Sequence, residues 1–357
     1  MRKAILNILF LINLLLALAL GIAYLSVYIS PDQFWIPSLF GLAYPFFLAG
    51  NLIFLAVWIV LKPKYVLLPL VIVVIGWGFV SRLIQLKSKS NSDANINVVS
   101  YNVKHFVADG TGSQKENATK IISFLADQDA DIICLQEARL RQNNIFNLAQ
   151  AVNDLETIKH YQFARSSTTY GSVTMTRYPI VNMGEIRFDN SRNITIYTDV
   201  LIDADTVRIF NIHLQSYHID PEKYDIIESP GINEGKDIEE VKEMSAKFKE
   251  AFQLRAAQVR EIRKYIDESP HNVIICGDFN DTPASFSYRT LSSGLTDAFV
   301  NSGHGIGRTY IGKLPSFRID YIMHGDGFES YDFVTLEYQN SDHFPIRCNL
   351  LKISEDL

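Results

Sequence analysis

Cysteine is scarce in this chain. There are three, Cys134, Cys276 and Cys348, an odd number with no paired spacing. That argues against a disulfide framework and against a cysteine-built metal centre. Cys134 and Cys276 sit inside strand-like apolar runs, "DIICLQE" and "VIICGDF", and read as small buried hydrophobes. An excess of positive charge is missing too. A net charge of −6 over 357 residues leaves no large basic surface. This weakens any reading as a tight non-specific nucleic-acid binder, which must neutralise phosphates. Charge of either sign is absent from three stretches, residues 4–29, 35–61 and 65–81.

These uncharged stretches are long. A helix rises about 1.5 Å per residue, so roughly 20 apolar residues cross a bilayer core of about 30 Å. Three transmembrane helices are therefore expected. Leu83, Ile84 and Leu86 extend the shortest run, and Arg82 can snorkel to the head groups. A cleaved secretory signal does not account for the first run, whose apolar core exceeds the usual length of about 7–15 residues. A buried helical hairpin does not account for it either, since nothing amphipathic breaks the runs. Arg2 and Lys3 precede the first run, and Lys62 and Lys64 separate the second and third, whereas the first loop carries only Asp32. The positive-inside tendency places the N-terminus in the cytoplasm and, after three spans, the remainder outside it. Arg82, Lys87 and Lys89 pull the other way. The expectation is an integral protein of an inner or plasma membrane with an extracytoplasmic C-terminal domain. Trp35, Trp58 and Trp77 serve equally well as interface anchors or as packing between helices.

The chain then divides into a membrane anchor (1–86), a polar linker "KSKSNSDAN" (87–95) and one large domain (96–357). Short β-branched runs predict strands at 96–103, 131–137, 172–180, 194–202, 206–214, 272–279, 318–324 and 344–351. Helices fit 114–128, 143–154 and 238–267. Strands arriving in succession with helices between them predict an α/β (α+β) domain, two sheets packed face to face. Residues 215–237 read as a long loop, either a substrate-facing lid or a tolerated surface insertion.

The stretch "VIICGDFNDTP" poses the functional question. A buried-looking strand stops at Gly277 and is followed at once by Asp278, Asn280 and Asp281. Side chains two apart on a strand share a face, so Asp278 and Asn280 can address one site. Other strand ends carry similar groups: Asn102, Glu137, His213, Asp320, and the pair Asp342 and His343. Each alone has a bland explanation, such as an Asx turn, a solvated acid, a structural histidine or a cap. Together they place oxygen or imidazole groups, and no thiol, at the mouths of separate apolar strands.

These motifs, "SYNV", "LQE", "NIHLQS", "GDFND", "RIDYI" and "SDHFPI", resemble the endonuclease/exonuclease/phosphatase (DNase-I-like) superfamily, over about residues 96–350. The resemblance implies a four-layer sandwich, two mixed β-sheets flanked by helices, here preceded by the three transmembrane helices. It implies phosphoester hydrolysis by activated water. Glu137, Asn102 and Asp342 would hold or surround a divalent cation. Oxygen ligands favour Mg²⁺, with Mn²⁺ as alternative. His343 would be the general base or would stabilise the phosphorane, with Asp320 orienting it. Asp278 and Asn280 would position the water, and His213 would meet a phosphate oxygen. Lys104 stands where some nucleases of the family carry an acid. An ammonium there disfavours a second metal and is suited to contact substrate phosphate. The expected partners are a phosphate-ester substrate, either nucleic acid or a phospholipid head group, and the bilayer. A non-catalytic binding module is the competing class. The residues point to no protein partner, and they leave the substrate open.

Overall fold

A computed structural model describes residues 2–107, 112–139, 145–166, 169–217, 236–312 and 317–353. The apolar N-terminal runs form helices. α1 (Arg2–Leu25) and α3 (Tyr44–Leu61) are each long and apolar enough to cross a membrane. Between them lies the short α2 (Ile36–Leu42). The third expected span is not a straight helix. It divides into α4 (Leu67–Ile75), preceded by a 3-10 turn, and α5 (Trp77–Leu83), bent by 65° at the break. Two helices thus have the length and composition to cross a membrane, or three if the bent pair counts as one span.

Gly76 explains the bend. A Cβ there would sit 2.0 Å from the Tyr24 ring, so only a bare backbone lets that ring pack into the corner. Tyr24 also donates from its hydroxyl to the Ile72 carbonyl at 3.0 Å. α1 and α3 are joined by a polar clasp. Trp58 Nε1 donates to Asn13 Oδ1 at 2.9 Å, and Asn13 donates to Asn51 Oδ1 at 3.3 Å. Such bonds satisfy polar side chains buried between apolar helices.

The C-terminal domain is a four-layer sandwich. Its first sheet contains β1 (Ile96–Asn102), β2 (Ile132–Arg139), β3 (His160–Arg165), β4 (Tyr170–Thr176), β11 (Phe328–Thr335) and β12 (Ile346–Lys352). Their order is β11-β12-β1-β2-β4-β3. The second contains β5 (Ile180–Arg187), β6 (Ile194–Ile202), β7 (Asp205–His213), β8 (Asn272–Asp278), β9 (Thr296–Asp297) and β10 (Asp320–His324), in the order β5-β6-β7-β8-β10-β9. Each sheet is mixed. β1 pairs parallel with β2, and β7 with β8, while the remaining pairs are antiparallel.

Parallel neighbours need crossovers. α6 (Gln114–Ala126) supplies the first, opened by a capping box between Ser113 and Glu116. α8 (Lys236–Asp267) lies in the second. The central strands are buried on both faces, which is why they read as continuous apolar runs. Val98, Cys134, Ile209, Cys276, Ile322 and Cys348 form the core between the sheets. Val99 and Ile133 face the other way, against Ile121 and Leu125 of α6. Phe210 and Ile275 meet Val259 and Ile262 of α8. All three cysteines are free and buried.

Several expected boundaries move. The run 172–180 is two strands, β4 and β5, in different sheets. Pro179 separates them, and it cannot donate to a ladder. The helix expected over 143–154 is observed as α7 (Leu148–Asp154), and residues 140–144 lie outside the described residues. Of the expected loop 215–237, residues 218–235 lie outside them as well. Strands β3, β9 and β11 are additional.

The N-terminal helices dock on the C-terminal sandwich. Ser26 Oγ donates to the Ala284 carbonyl at 2.6 Å, and Arg318 Nη2 to the Arg82 carbonyl at 3.0 Å. Gln85 and Gly305 exchange both backbone hydrogen bonds. Arg260 pairs with Asp32 at 2.5 Å. Within residues 87–95, Lys89 is held against the domain by Glu329 and by the Asp332 amide.

Candidate active site

Strand register assembles the site. On the second sheet, His213 of β7 lies opposite Asp278 of β8, which lies opposite Asp320 of β10. At this edge the last residues of β7 and β8 and the first residue of the antiparallel β10 therefore each carry a titratable group. β7 and β8 can approach because Gly277 has φ +146°, and a Cβ there would sit 1.9 Å from the Ile212 carbonyl oxygen. On the first sheet, Asn102 ends β1. Glu137 sits where the β2–β4 register shifts between Leu135 and Ala138, and a bulge of this kind re-aims a side chain. Asp342 and His343 stand just before β12, and His343 bridges to Tyr310.

All nine sequence-predicted residues come together at this mouth. Asn102 donates from Nδ2 to Asp278 Oδ2 at 3.0 Å and to Glu137 Oε1 at 3.4 Å. Its Oδ1 accepts the Lys104 amide at 3.0 Å, so in this orientation Asn102 steers the carboxylates. Asn280 donates from its backbone to Asp278 Oδ1 at 2.7 Å and from Nδ2 to Asp278 Oδ2 at 3.0 Å. His343 Nδ1 lies 2.9 Å from Asp320 Oδ2, and its Nε2 lies 3.8 Å from Asp278 Oδ2 and 4.0 Å from Asp342 Oδ1. His213 Nε2 lies 3.3 Å from Glu137 Oε1 and 4.0 Å from Asp278 Oδ2. Lys104 Nζ is 3.1 Å from Asp342 Oδ2.

Two contributors were not legible in the sequence. His105 Nε2 lies 3.1 Å from Glu137 Oε2, and its ring packs on Tyr170. Leu42, at the end of α2, lines the same cleft of about 280 Å³. His105 reaches Glu137 only because Lys104, His105 and Phe106 have φ of 40°, 53° and 61°. Glu137 (φ 55°) and Asn280 (φ 51°) share that left-handed conformation. Each such residue stores about 1–3 kcal/mol of strain, which persists where the surroundings over-determine it. Below the cleft, the fully buried Arg255 of α8 lies 3.3 Å from Asp281 Oδ2 and donates to the Gln215 carbonyl at 2.7 Å.

The electrostatics separate the acids. Burial works to raise Glu137, but His213, His105 and His343 outweigh it and hold the carboxyl down at about 2. Asp278 is pushed up, chiefly by burial and further by the neighbouring Asp320 carboxylate, against the pull of the histidines. Burial would lower His343, but Asp320 and Asp278 raise it above the ordinary imidazole range. His213 is raised by Glu137 despite its burial.

The donor chemistry fits a hard divalent cation. Glu137 and Asp342 are carboxylates in one cleft without a thiolate, and Glu137 is held ionised, as a ligand must be. Asp278, Asp320 and His343 also bring one ligand atom each within 4.8 Å of one another. There, however, His343 Nδ1 and Asp320 Oδ2 are already partnered with each other.

A family model described as "Endonuclease/Exonuclease/phosphatase family" matches residues 99–343. A second model, described only as a domain of unknown function, matches residues 6–83. No curated protein matches the chain. Among solved structures, an endonuclease/exonuclease/phosphatase family protein from Leptotrichia buccalis is similar at 16% identity and TM-score 0.52, over 72% of this chain and 99% of that one. A functionally unknown conserved protein from Enterococcus faecalis is similar at 15% and 0.52, over 72% and 100%. Humanized D. rerio TDP2 is similar at 16% and 0.54, over 72% and 100%. Likeness at such identities shows the fold.

Proposed function

From the premise that this chain belongs to the endonuclease/exonuclease/phosphatase family and so is a phosphate-ester hydrolase, we propose that it is a membrane-anchored, divalent-metal-dependent enzyme. It cleaves phosphodiester or phosphomonoester bonds by attack of water. The observation that carries this reading is the convergence of Glu137, Asp278, Asp342 and His343 on one cleft.

Two of the three raised groups divide the proton work. Asp278, lifted toward neutrality, accepts the proton of the attacking water, which Asn280 and Asn102 help to place. A general base works best when its pKa lies near the operating pH. His343, held protonated by Asp320, donates from Nε2 to a phosphoryl oxygen as charge develops there. Its role as general base, the other expectation from sequence, is less well matched to a raised pKa. His213, buried with its Nε2 turned to the cleft acids, meets a second phosphoryl oxygen. Lys104 offers charge at the rim. Glu137 and Asp342 would hold the cation, Mg²⁺ or Mn²⁺, which when bound supplies neutralisation of phosphoryl charge.

Membrane anchoring is supported by two apolar helices of spanning length and by the bent pair. The domain contacts the first loop, at Ser26 and Asp32, and the end of α5, at Arg82. That arrangement suits an odd number of crossings, with the bent pair as the third. The proposed boundaries are anchor 1–86, linker 87–95 and catalytic domain 96–357, the domain lying outside the cytoplasm. A C-terminal reporter that is active only outside the cytoplasm will be active, and a silent one overturns this orientation.

Two substrate classes remain in view. Nucleic acid is the family's default, but the chain's charge of −6 works against a polyanion. A phospholipid head group is favoured by Leu42, because the anchor itself supplies a wall of the cleft. The test uses the full chain in nanodiscs with bis(p-nitrophenyl) phosphate, plasmid DNA and a choline phospholipid, each with Mg²⁺ or EDTA. Metal-dependent turnover that is lost in Glu137→Ala and His343→Ala is expected. Binding without turnover of any of the three would make the chain a binding module and end this reading.

A further inference from the structure

Beside the cleft, a second cavity of about 150 Å³ lies between the anchor and the catalytic domain. Tyr44, Phe79 and Leu83 wall it from the membrane side, and Pro283, Ile306 and Phe317 from the domain side. A dry apolar cavity of roughly this size takes up a molecule such as benzene. Phe317 borders both this cavity and the catalytic cleft. On the anchor, Phe46, next to the cavity-lining Pro45, packs edge-on against Phe317 and is half exposed. Ile306 and Ile84 line the cavity and are themselves exposed, so its rim is apolar.

Three polar residues, Tyr44, Thr282 and Arg318, interrupt the apolar lining. Thr282 Oγ1 donates to the Gly41 carbonyl at 3.3 Å, and Arg318 pairs with Asp297 at 2.8 Å. Tyr44 is 3% exposed, and among the described residues its hydroxyl has no hydrogen-bond partner. Leaving a buried donor unmade costs about 1–3 kcal/mol, so such a group points to an acceptor that the protein does not itself provide.

We propose that this cavity is a subsite for the hydrocarbon chain of a membrane-lipid phosphate ester whose phosphate occupies the neighbouring cleft. The inference rests on the reading of that cleft as a phosphoesterase site. The apolar cavity takes the first methylenes of the chain. The Tyr44 hydroxyl donates to an acceptor oxygen near the top of it, such as an ester carbonyl. The apolar rim, continuous with the anchor helices, lets the rest of the chain stay in the bilayer. The substrate then moves only its head group out of the interface.

The test follows hydrolysis of bis(p-nitrophenyl) phosphate, which has no alkyl chain, by the full protein in nanodiscs. Ethyl, butyl and octyl phosphate are added as inhibitors. Each methylene moved from water into an apolar site strengthens binding by about fourfold at best. Octyl phosphate is therefore expected to inhibit at least about tenfold more tightly than ethyl phosphate. Ile306→Trp, at the exposed rim, and Leu83→Trp, on the anchor side, should remove that gain while bis(p-nitrophenyl) phosphate is still hydrolysed. Equal inhibition along the series overturns the proposal. So does a chain-length gain that persists in both variants, since the chain then engages the bilayer alone. Absence of any hydrolysis by the unmodified protein would instead strike the phosphoesterase reading itself.

Discussion

His343 and Asp320 are buried neighbours, with Nδ1 of the imidazole 2.9 Å from Oδ2 of the carboxylate. Asp320 is fixed in turn by its register opposite Asp278, and its amide donates to Thr309 Oγ1 at 3.2 Å. The carboxylate sets both the orientation and the charge of the ring. Asp320→Asn keeps the shape and removes the charge. The rate is expected to fall by about 10²–10⁴-fold, with KM little changed and the fold intact. The sign of the pH effect follows. Asp320 raises His343, so the asparagine variant lets the imidazolium lose its proton at lower pH. The alkaline limb of kcat against pH moves to lower pH. An unchanged profile at full rate would remove Asp320 from this role.

Glu137 is expected to report the metal without any turnover. A ligand that binds only the folded state at 100 times its Kd stabilises by about 2.7 kcal/mol. Saturating Mg²⁺ or Mn²⁺ should therefore raise the unfolding temperature of the protein, and EDTA should reverse it. In Glu137→Gln that shift disappears, because the ionised carboxylate is gone while His213 and His105 keep a neutral partner. Differential scanning fluorimetry in detergent measures it. A full metal shift in the variant would move the cation elsewhere in the cleft.

Much of this site could be read from the sequence for a physical reason. The central strands are buried on both faces, so any oxygen or imidazole group that interrupts their apolar run stands out. Asn102, Glu137, His213, Asp278 and Asp320 were all visible in that way. His105 was not, because its reach depends on three consecutive left-handed residues, which composition does not announce. Leu42 was not, because nothing in an apolar run says that a neighbouring short helix will wall a distant cleft. The bend at Gly76 was hidden too. A glycine within an apolar run does not by itself break a helix, and it took Tyr24 packing into the corner to use it. Strand β3 was missed as an edge strand whose alternating exposure carries no long apolar signal.

Far from the cleft, Asp199 and Arg208 face each other across β6 and β7 and meet through two bonds of 2.7 and 2.8 Å. Burial would raise the Asp199 carboxyl, but Arg208, helped by Asn182, holds it below its ordinary value. A depressed carboxyl contributes stability that is present above its unfolded pKa, about 3.9, and is lost as pH falls through the folded value. The domain should therefore lose stability on acidification below about pH 4, and Asp199→Asn should flatten that part of the curve. Arg208→Ala leaves a buried charge without its partner and should cost about 3 kcal/mol at neutral pH. Chemical denaturation followed at several pH values tests both. An acid limb as steep in Asp199→Asn as in the parent would assign it to other carboxylates.

Arg255 is expected to act on catalysis without touching the substrate. It is fully buried on α8 and supports the turn that carries Asn280 through its ion pair with Asp281, while its guanidinium stacks 4.4 Å from the Tyr217 ring centroid. Asp281 accepts twice, its Oδ2 from Ser287 Oγ at 2.9 Å and its backbone carbonyl from the Tyr321 hydroxyl at 2.8 Å. This ties the turn to α9 (Phe286–Leu291) and to β10. Replacing Arg255 by methionine keeps the volume but leaves the Asp281 carboxylate buried without its cation. The cost is expected at about 3–5 kcal/mol, with a lowered rate. Adding Asp281→Asn removes the stranded charge and should recover most of the stability. If positioning of Asn280 is what Arg255 contributes, kcat of the double variant stays low after stability has returned, because the pair that set the turn is absent. If Arg255 is merely a structural brace, kcat returns with the fold. Kinetics and denaturation of the single and double variants, measured side by side, separate the two.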